Sequence, residues 1–229
     1  MVASGKSQAR PPGRDPARPP RKASRASRRE QIIEATLDVV AERGLSRTTL
    51  AEVAARAGVA HGLVNFHFRS KDELLVQTLN HLAEEYRENW TAALALAAPD
   101  DPAAQLDALI AADFAPRVTS ESRLAAWCAF WGEAQSRPMY QAQCGSNDTA
   151  YIAMMEEICA RLIAEGGYPH HPGRAARVVR VTVEGIWLDR ITMSEPYSSD
   201  EALRTIHACT AELFPRHFTE AGLRPDRRT

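Results

Sequence analysis

Residues 45–75 read LSRTTLAEVAARAGVAHGLVNFHFRSKDELL, and this stretch leaves few folds open. Leu50, Val53 and Ala54 recur at i, i+3 and i+4, the period of one buried helix face, and a hydroxyl from Thr48 or Thr49 is placed to cap that helix. Gly58 then supplies the backbone freedom for a sharp turn. Val59 beyond it can plug into a core while a second short helix, from about residue 60 to 66, leaves at a steep angle. Ser70-Lys71-Asp72-Glu73 is an S-x-x-E capping box ahead of Leu74, Leu75 and Leu79, so a third helix starts there with its first backbone donors satisfied. Two helices joined by a tight turn and backed by others form the geometry that lays a helix in the major groove of DNA.

The same residues resemble the TetR family of bacterial repressors. Thr49-Leu50-Ala51-Glu52-Val53-Ala54-Ala55-Arg56-Ala57-Gly58-Val59 follows that family's turn pattern, and Phe66-His67-Phe68 and Lys71-Asp72-Glu73-Leu74 follow its aromatic motif and capping box in the same order and spacing. Within such a reader, His61, Gly62 and Asn65 are the candidates for base edges or close backbone approach, since Asn pairs with adenine and Gly carries no side chain. Arg47, Thr48, Thr49, His67, Arg69 and Lys71 are the candidates for phosphates, which set position rather than sequence choice. Leu63, Val64 and Phe68 read as core. Many relatives carry a tyrosine pair before H-F where this chain has Asn65 and Phe66; the lost phenol removes one family phosphate contact and leaves Asn65 to read a base.

Composition agrees without being decisive. At 229 residues with 45% hydrophobic content the chain can hold one small and one medium core, and its alanine and leucine with few β-branched alternations point to an all-α protein. Cys128, Cys144, Cys159 and Cys209 are widely spaced, with no C-x-x-C, and no apolar run resembles a signal peptide or membrane span; the expectation is a cytoplasmic protein with free thiols. The net charge of −1 hides a basic N-terminal arm. Its first 29 residues hold nine Lys and Arg against Asp15 alone, with five prolines and few apolar residues, so the arm is expected to be disordered until bound, and two roles stay open for it: tracking DNA phosphates or a minor groove, or a solvated tail.

A first helix is expected from residues 24–27 to Arg43, with Ile32, Ile33, Ala35, Leu37, Val39 and Val40 inward and Gly44 as its stop. A long helix from Lys71 through Leu82 and Tyr86 toward Leu96 links the reader to the rest as a lever. Breaks at residues 98–102, at Pro116, at Arg137-Pro138, at 166–169 and at 194–199 give about nine helices in all. The TetR resemblance implies the same plan: an N-terminal three-helix reader and a larger helical domain for ligand and dimer contacts. The expected boundaries are a basic arm over 1–25, the reader over 26–70, the ligand-binding and dimerisation domain over 71–219 and a flexible tail over 220–229.

Ala126-Trp127-Cys128-Ala129-Phe130-Trp131, Arg137-Pro138-Met139-Tyr140 and Glu184-Gly185-Ile186-Trp187-Leu188-Asp189 resemble, within that family, the BetI-type choline-responsive repressors. A quaternary ammonium has no N–H to donate, so its site needs aromatic faces and carboxylates. Trp127, Trp131, Tyr140, Glu184, Trp187 and Asp189 are the candidates for that cage; Glu133 can add to it, Phe130 reads as core, and the carboxylates have an alternative in pairing with Arg180 or Arg190. The last two helices, near 172–193 and 199–218, are apolar on more than one face. The resemblance implies that they pack on a second copy, setting two readers about 34–36 Å apart on a palindromic operator, with release by an effector, choline or another small molecule. The genes implied are those of choline uptake and oxidation to glycine betaine. An all-α enzyme lacks any nucleophile, metal set or cofactor motif here, and His170-His171 falls in a Pro-Gly loop without ligand partners at metal spacing. A non-specific DNA-coating protein would take nearly all its affinity from phosphates and lose it with salt.

Overall fold

The computed structural model describes residues 24–132, 137–196 and 198–225, so most of the basic arm, Glu133 and the last four residues lie outside the described residues. Among the described residues the chain forms nine helices: α1 (Arg25–Arg43), α2 (Leu50–Arg56), α3 (His61–His67), α4 (Lys71–Leu96), α5 (Pro102–Asp113), α6 (Glu121–Gly132), α7 (Arg137–Gly166), α8 (Pro172–Thr192) and α9 (Ser199–Leu213). Their starts are written in short polar side chains. Ser24, Thr49, Ser70, Asp101 and Ser198 each accept a hydrogen bond from the amide three residues on, which satisfies a donor that the helix itself leaves open.

The turn between α2 and α3 is a Schellman motif. Gly58 sits at φ +63°, its N–H donates to the Ala55 carbonyl at 3.2 Å, and the Val59 N–H reaches back to the Ala54 carbonyl at 3.0 Å. Val53, Ala54, Val64 and Phe68 then close on Ile32, Ile33, Val39 and Leu74 to make the reader's own core. A second core belongs to both halves of the molecule: Leu37, Val40 and Leu45 meet Leu75, Leu79 and Leu82 of α4 and Ala126, Trp127 and Phe130 of α6. The third and largest fills the body among α5 to α9. The six apolar positions expected inward on α1 are all buried.

One boundary differs from expectation. The last helix stops at Leu213, not near Phe218, because Phe214 precedes a proline and is pushed out of the helical region, to φ −132° and ψ 57°. The chain then doubles back in a two-stranded antiparallel hairpin, β1 (Phe218–Thr219) with β2 (Gly222–Leu223), pairing Phe218 with Leu223 and Thr219 with Gly222. Phe218 is buried and Leu223 packs against the body core, so residues 220–223 are folded structure rather than tail. Among the described residues no helix is long and apolar enough to cross a membrane.

Candidate functional site

Two places concentrate the candidate residues: the surface of the reader and a cavity in the helical body. In the reader, α3 turns Val64 inward and leaves His61, Gly62, Asn65 and Phe66 exposed, one contiguous face of a short helix. Asn65 Nδ2 lies 3.5 Å from His61 Nδ1 across one turn, so the two polar side chains share that face. A Cβ on Gly62 would meet nothing within 4 Å, which shows that packing inside the protein does not require glycine there. Phe66 is two-thirds exposed with Arg25 of α1 over its ring at 5.3 Å.

The phosphate candidates divide. Arg47, Thr49 and Arg69 are exposed and Lys71 half-buried. Thr49 caps α2, its hydroxyl accepting from the Glu52 N–H at 3.2 Å and donating to the Glu52 carboxylate at 2.9 Å. Lys71 donates to the Ser46 carbonyl at 2.7 Å, Arg47 Nε to the Arg43 carbonyl at 3.0 Å, and the Arg69 N–H to Glu73 at 2.8 Å. Thr48 is a correction: its side chain is buried and its hydroxyl donates to the Gly44 carbonyl at 2.9 Å, so it locks the loop after α1 and does not reach the surface. His67 is half-buried, and burial together with Arg25, Arg29 and Arg28 holds its imidazole below the usual range, so near neutral pH it offers hydrogen bonds rather than charge.

In the body, α4, α6, α7 and α8 enclose a cavity of about 550 Å³. All four tryptophans of the chain line it: Trp90, Trp127, Trp131 and Trp187. Trp131 stacks between Trp127, at 5.8 Å, and Trp187, at 6.3 Å with the planes 5° apart. Tyr86 meets Trp127 and Trp187 edge-on at 6.3 and 5.9 Å, and Tyr140 meets Trp127 at 6.4 Å. Of the cage residues expected from sequence, Trp127, Trp131, Tyr140, Glu184 and Trp187 line this cavity, and Phe130 is fully buried in the shared core. Asp189 does not line it. Five residues beyond Glu184, it projects about 140° around α8 and is exposed.

Charge in the cavity is unbalanced. Arg180 pairs with Glu184 one turn along α8, as the sequence alternative allowed, while Asp148 accepts from the Tyr140 hydroxyl at 3.1 Å. Two carboxylates thus share the wall with one guanidinium. Burial pushes both acids above the usual carboxylate range; Arg180 opposes the shift at each, and Asp148 adds to it at Glu184. Burial also lifts the Cys144 thiol to about 12, with Asp148 adding to it, and it lines the cavity as a neutral group.

Sequence reasoning missed the residue that organises this wall. Asp113 is buried at the end of α5, where its two oxygens accept from Tyr86 at 2.9 Å and Tyr151 at 3.1 Å, and its carbonyl accepts the Trp187 indole N–H at 3.1 Å. One acidic residue therefore orients three cavity aromatics. The signal was present as a lone acid in the apolar run Leu109-Ile110-Ala111-Ala112-Asp113-Phe114. Tyr86 and Trp90, an i, i+4 pair on α4, were likewise legible as aromatics sharing a face.

Residues 32–78 match the model for bacterial regulatory proteins of the tetR family, and residues 102–215 match the model for the C-terminal part of BetI-type transcriptional repressors. The chain is 34% identical over 184 residues to the HTH-type transcriptional regulator BetI of Paraburkholderia xenovorans, covering 79% of this chain and 90% of that protein. This chain belongs to the TetR family. The BetI regulator of Yersinia pestis (strain Pestoides F) is 31% identical over 181 residues, 79% of this chain and 89% of its own. A TetR transcription regulator from Haloarcula marismortui superposes with a TM-score of 0.67 at 18% identity, covering 87% and 100% of the two chains. The ketosteroid regulator KstR2 of Mycobacterium tuberculosis gives 0.66 at 22%, covering 82% and 95%. At those identities the structures speak for the fold alone. As a TetR-family, BetI-type regulator this chain is a transcriptional regulator and not an enzyme.

Proposed function

We propose that this chain is a repressor that holds a palindromic operator as a homodimer and lets go when a small organic cation, choline in the first instance, occupies the cavity. The observation that carries the reading is the cavity itself: four tryptophans and two carboxylates against one guanidinium are what a quaternary ammonium requires, since aromatic faces attract its charge and the surplus acid balances it. The identity with BetI regulators supports the same ligand class, and with it control of choline uptake and oxidation to glycine betaine. Val178, Val181, Gly185 and Leu188 form an exposed, mostly apolar stripe on α8, of which all but Val178 also edge the cavity, and the likeness to BetI regulators supports dimerisation through α8 and α9. His61, Asn65, Arg47, Thr49, Arg69 and Lys71 are the proposed DNA contacts, with Asn65 reading a base.

Release demands that the effector bind the DNA-incompetent state more tightly, because equal affinity for both states shifts nothing. A second reading is favoured by size. A cavity of about 550 Å³ exceeds what the trimethylammonium head and short arm of choline fill, so a bulkier cation is the alternative effector. Fluorescence anisotropy on DNA from immediately upstream of the gene, with scrambled DNA as control and with and without millimolar choline, separates these. Selective binding weakened by choline supports the proposal. Selective binding indifferent to choline but weakened by a larger quaternary ammonium transfers the role to that ligand, and equal binding to scrambled DNA refutes specific repression at that site.

A further inference from the structure

We infer that Arg123 couples occupancy of the cavity to the position of the reader, an inference that rests on the effector-released reading above. Arg123, Trp127 and Trp131 fall at i, i+4 and i+8, so a single stripe of α6 carries this guanidinium and two of the cavity's indoles. The Arg123 side chain is 17% exposed. Its Nε and Nη2 donate to the two oxygens of Glu85 on α4, each at 2.9 Å, and Nη2 donates also to Glu34 on α1 at 2.9 Å. His81 of α4 completes the cluster, with Nε2 3.1 Å from Glu34 and 3.6 Å from Glu85. Glu34, His81 and Glu85 stand close enough together to ligate a metal ion, but both carboxylates already hold the guanidinium, so the place of a cation is taken.

One side chain therefore ties the cavity wall to the first helix of the reader and to the long helix between them. A bidentate guanidinium–carboxylate pair fixes orientation as well as distance, because two parallel N–H bonds resist both sliding and rotation. A ligand wedged against Trp127 and Trp131 displaces the α6 stripe, and Arg123 transmits the displacement to α1 through Glu34 and to α4 through Glu85. Arg123 lines neither the cavity nor the reader's exposed face, so it is a positioning residue that acts through its neighbours.

The test uses the full chain without DNA or effector. Hydrogen–deuterium exchange is followed in α1 for Trp131→Ala, which perturbs the wall, in two backgrounds: the native cluster, and R123M/E34Q/E85Q, in which the charges are removed together so that no carboxylate is left buried without its partner. With the cluster intact, the wall substitution changes α1 exchange by about twofold or more, the lower end of the coupling between residues that share a network. Without the cluster, the α1 response to Trp131 falls at least twofold, to what the packing of Leu37 and Val40 on Trp127 and Phe130 still carries. Exchange in α9, which packs on α5 and α8, is the control that separates coupling from general loosening. An equal response of α1 in both backgrounds overturns the inference. Should the triple variant fold poorly, R123K, which keeps the charge and loses the fork, replaces it with the same expectation. A second arm titrates choline against tryptophan fluorescence and operator anisotropy. Without the cluster, choline still alters fluorescence but releases DNA less completely, because only the apolar core remains to carry the movement, and undiminished release overturns the coupling. If choline leaves the native protein unchanged in both signals, the proposed effector fails while the exchange experiment still decides the role of Arg123.

Discussion

Asp113 makes the stability of this protein depend on pH in a direction opposite to that of an ordinary surface acid. Burial lifts its carboxyl from 3.8 to about 7, the Tyr86 and Tyr151 hydroxyls pull it back in part, and the Glu184 charge adds a smaller push upward. Between those two values the folded protein holds a proton that the unfolded chain has released. Stability from this group is therefore full below pH 3.8, falls as pH rises, and is flat above about 7. Each pH unit well inside that window costs about 1.36 kcal/mol, so the full interval is worth about 4 kcal/mol and the step from pH 5 to pH 7, where the group is already half-titrated, about 2 kcal/mol. Asp113→Asn removes the titration and keeps the shape, its carbonyl accepting from one tyrosine and its amide donating to the other. Urea unfolding of both proteins at pH 5 and pH 7 is the assay. Relative to the native chain, D113N gains about 2 kcal/mol between the two pH values. His81 also titrates here: its pKa is raised chiefly by the hydrogen bond to Glu34, so its contribution is present below 6.5 and lost as pH rises through its raised value, but it is common to both proteins and cancels in the difference. Parallel pH profiles for the two proteins refute the reasoning.

Gly58→Ala forces a Cβ into the left-handed region at φ +63° and lowers stability by about 1–2 kcal/mol, read as a shift of the urea midpoint at constant slope. Asn65→Ala flattens the preference for one base pair of the operator by about 1–3 kcal/mol and leaves binding to scrambled DNA unchanged; a uniform loss across all sequences makes Asn65 a backbone contact instead. Trp131→Leu removes the central ring of the indole stack and weakens choline by about 0.5–2 kcal/mol in a fluorescence or calorimetric titration, whereas undiminished affinity puts the cation elsewhere.

What was legible in the sequence was what a few consecutive residues decide. Gly58 and Val59 form a turn whose hydrogen bonds span six residues, Ser70 and Glu73 form a cap that spans four, and both are present in the fold. Even there the choice between Thr48 and Thr49 stayed open, because both carry a hydroxyl; the loop turned Thr48 toward Gly44 and left Thr49 at the helix start. The cavity was legible only in part. Trp127 and Trp131 share a face of one helix, so their spacing declares them, but Asp113 acquires its role only when α5 meets α4, α7 and α8. Asp189 shows the reverse failure: adjacency in sequence to Glu184 and Trp187 does not survive the rotation of a helix. The terminal hairpin gave no period to read, since its strands are two residues each.

The core shared by α1, α4 and α6 bears on how any effector can act. A lever consisting of α4 alone would have to drag the reader past α6, shearing Leu37 and Val40 against Trp127 and Phe130. Close-packed interiors do not deform by continuous sliding; they move as bodies or change between discrete packings. The cluster of Glu34, His81, Glu85 and Arg123 adds directional bonds to that same joint. The reader is thus held to the body by two helices, one passing from it into the cavity wall and one pressed on it from that wall. An effector that shifts α6 without α1 must break the shared core, at a cost its differential affinity would have to exceed, while one that moves α6 and α1 together changes the reader's pose at little cost in packing. The second route is the one the joint permits, and it predicts that reader and α6 stay in register when the effector binds.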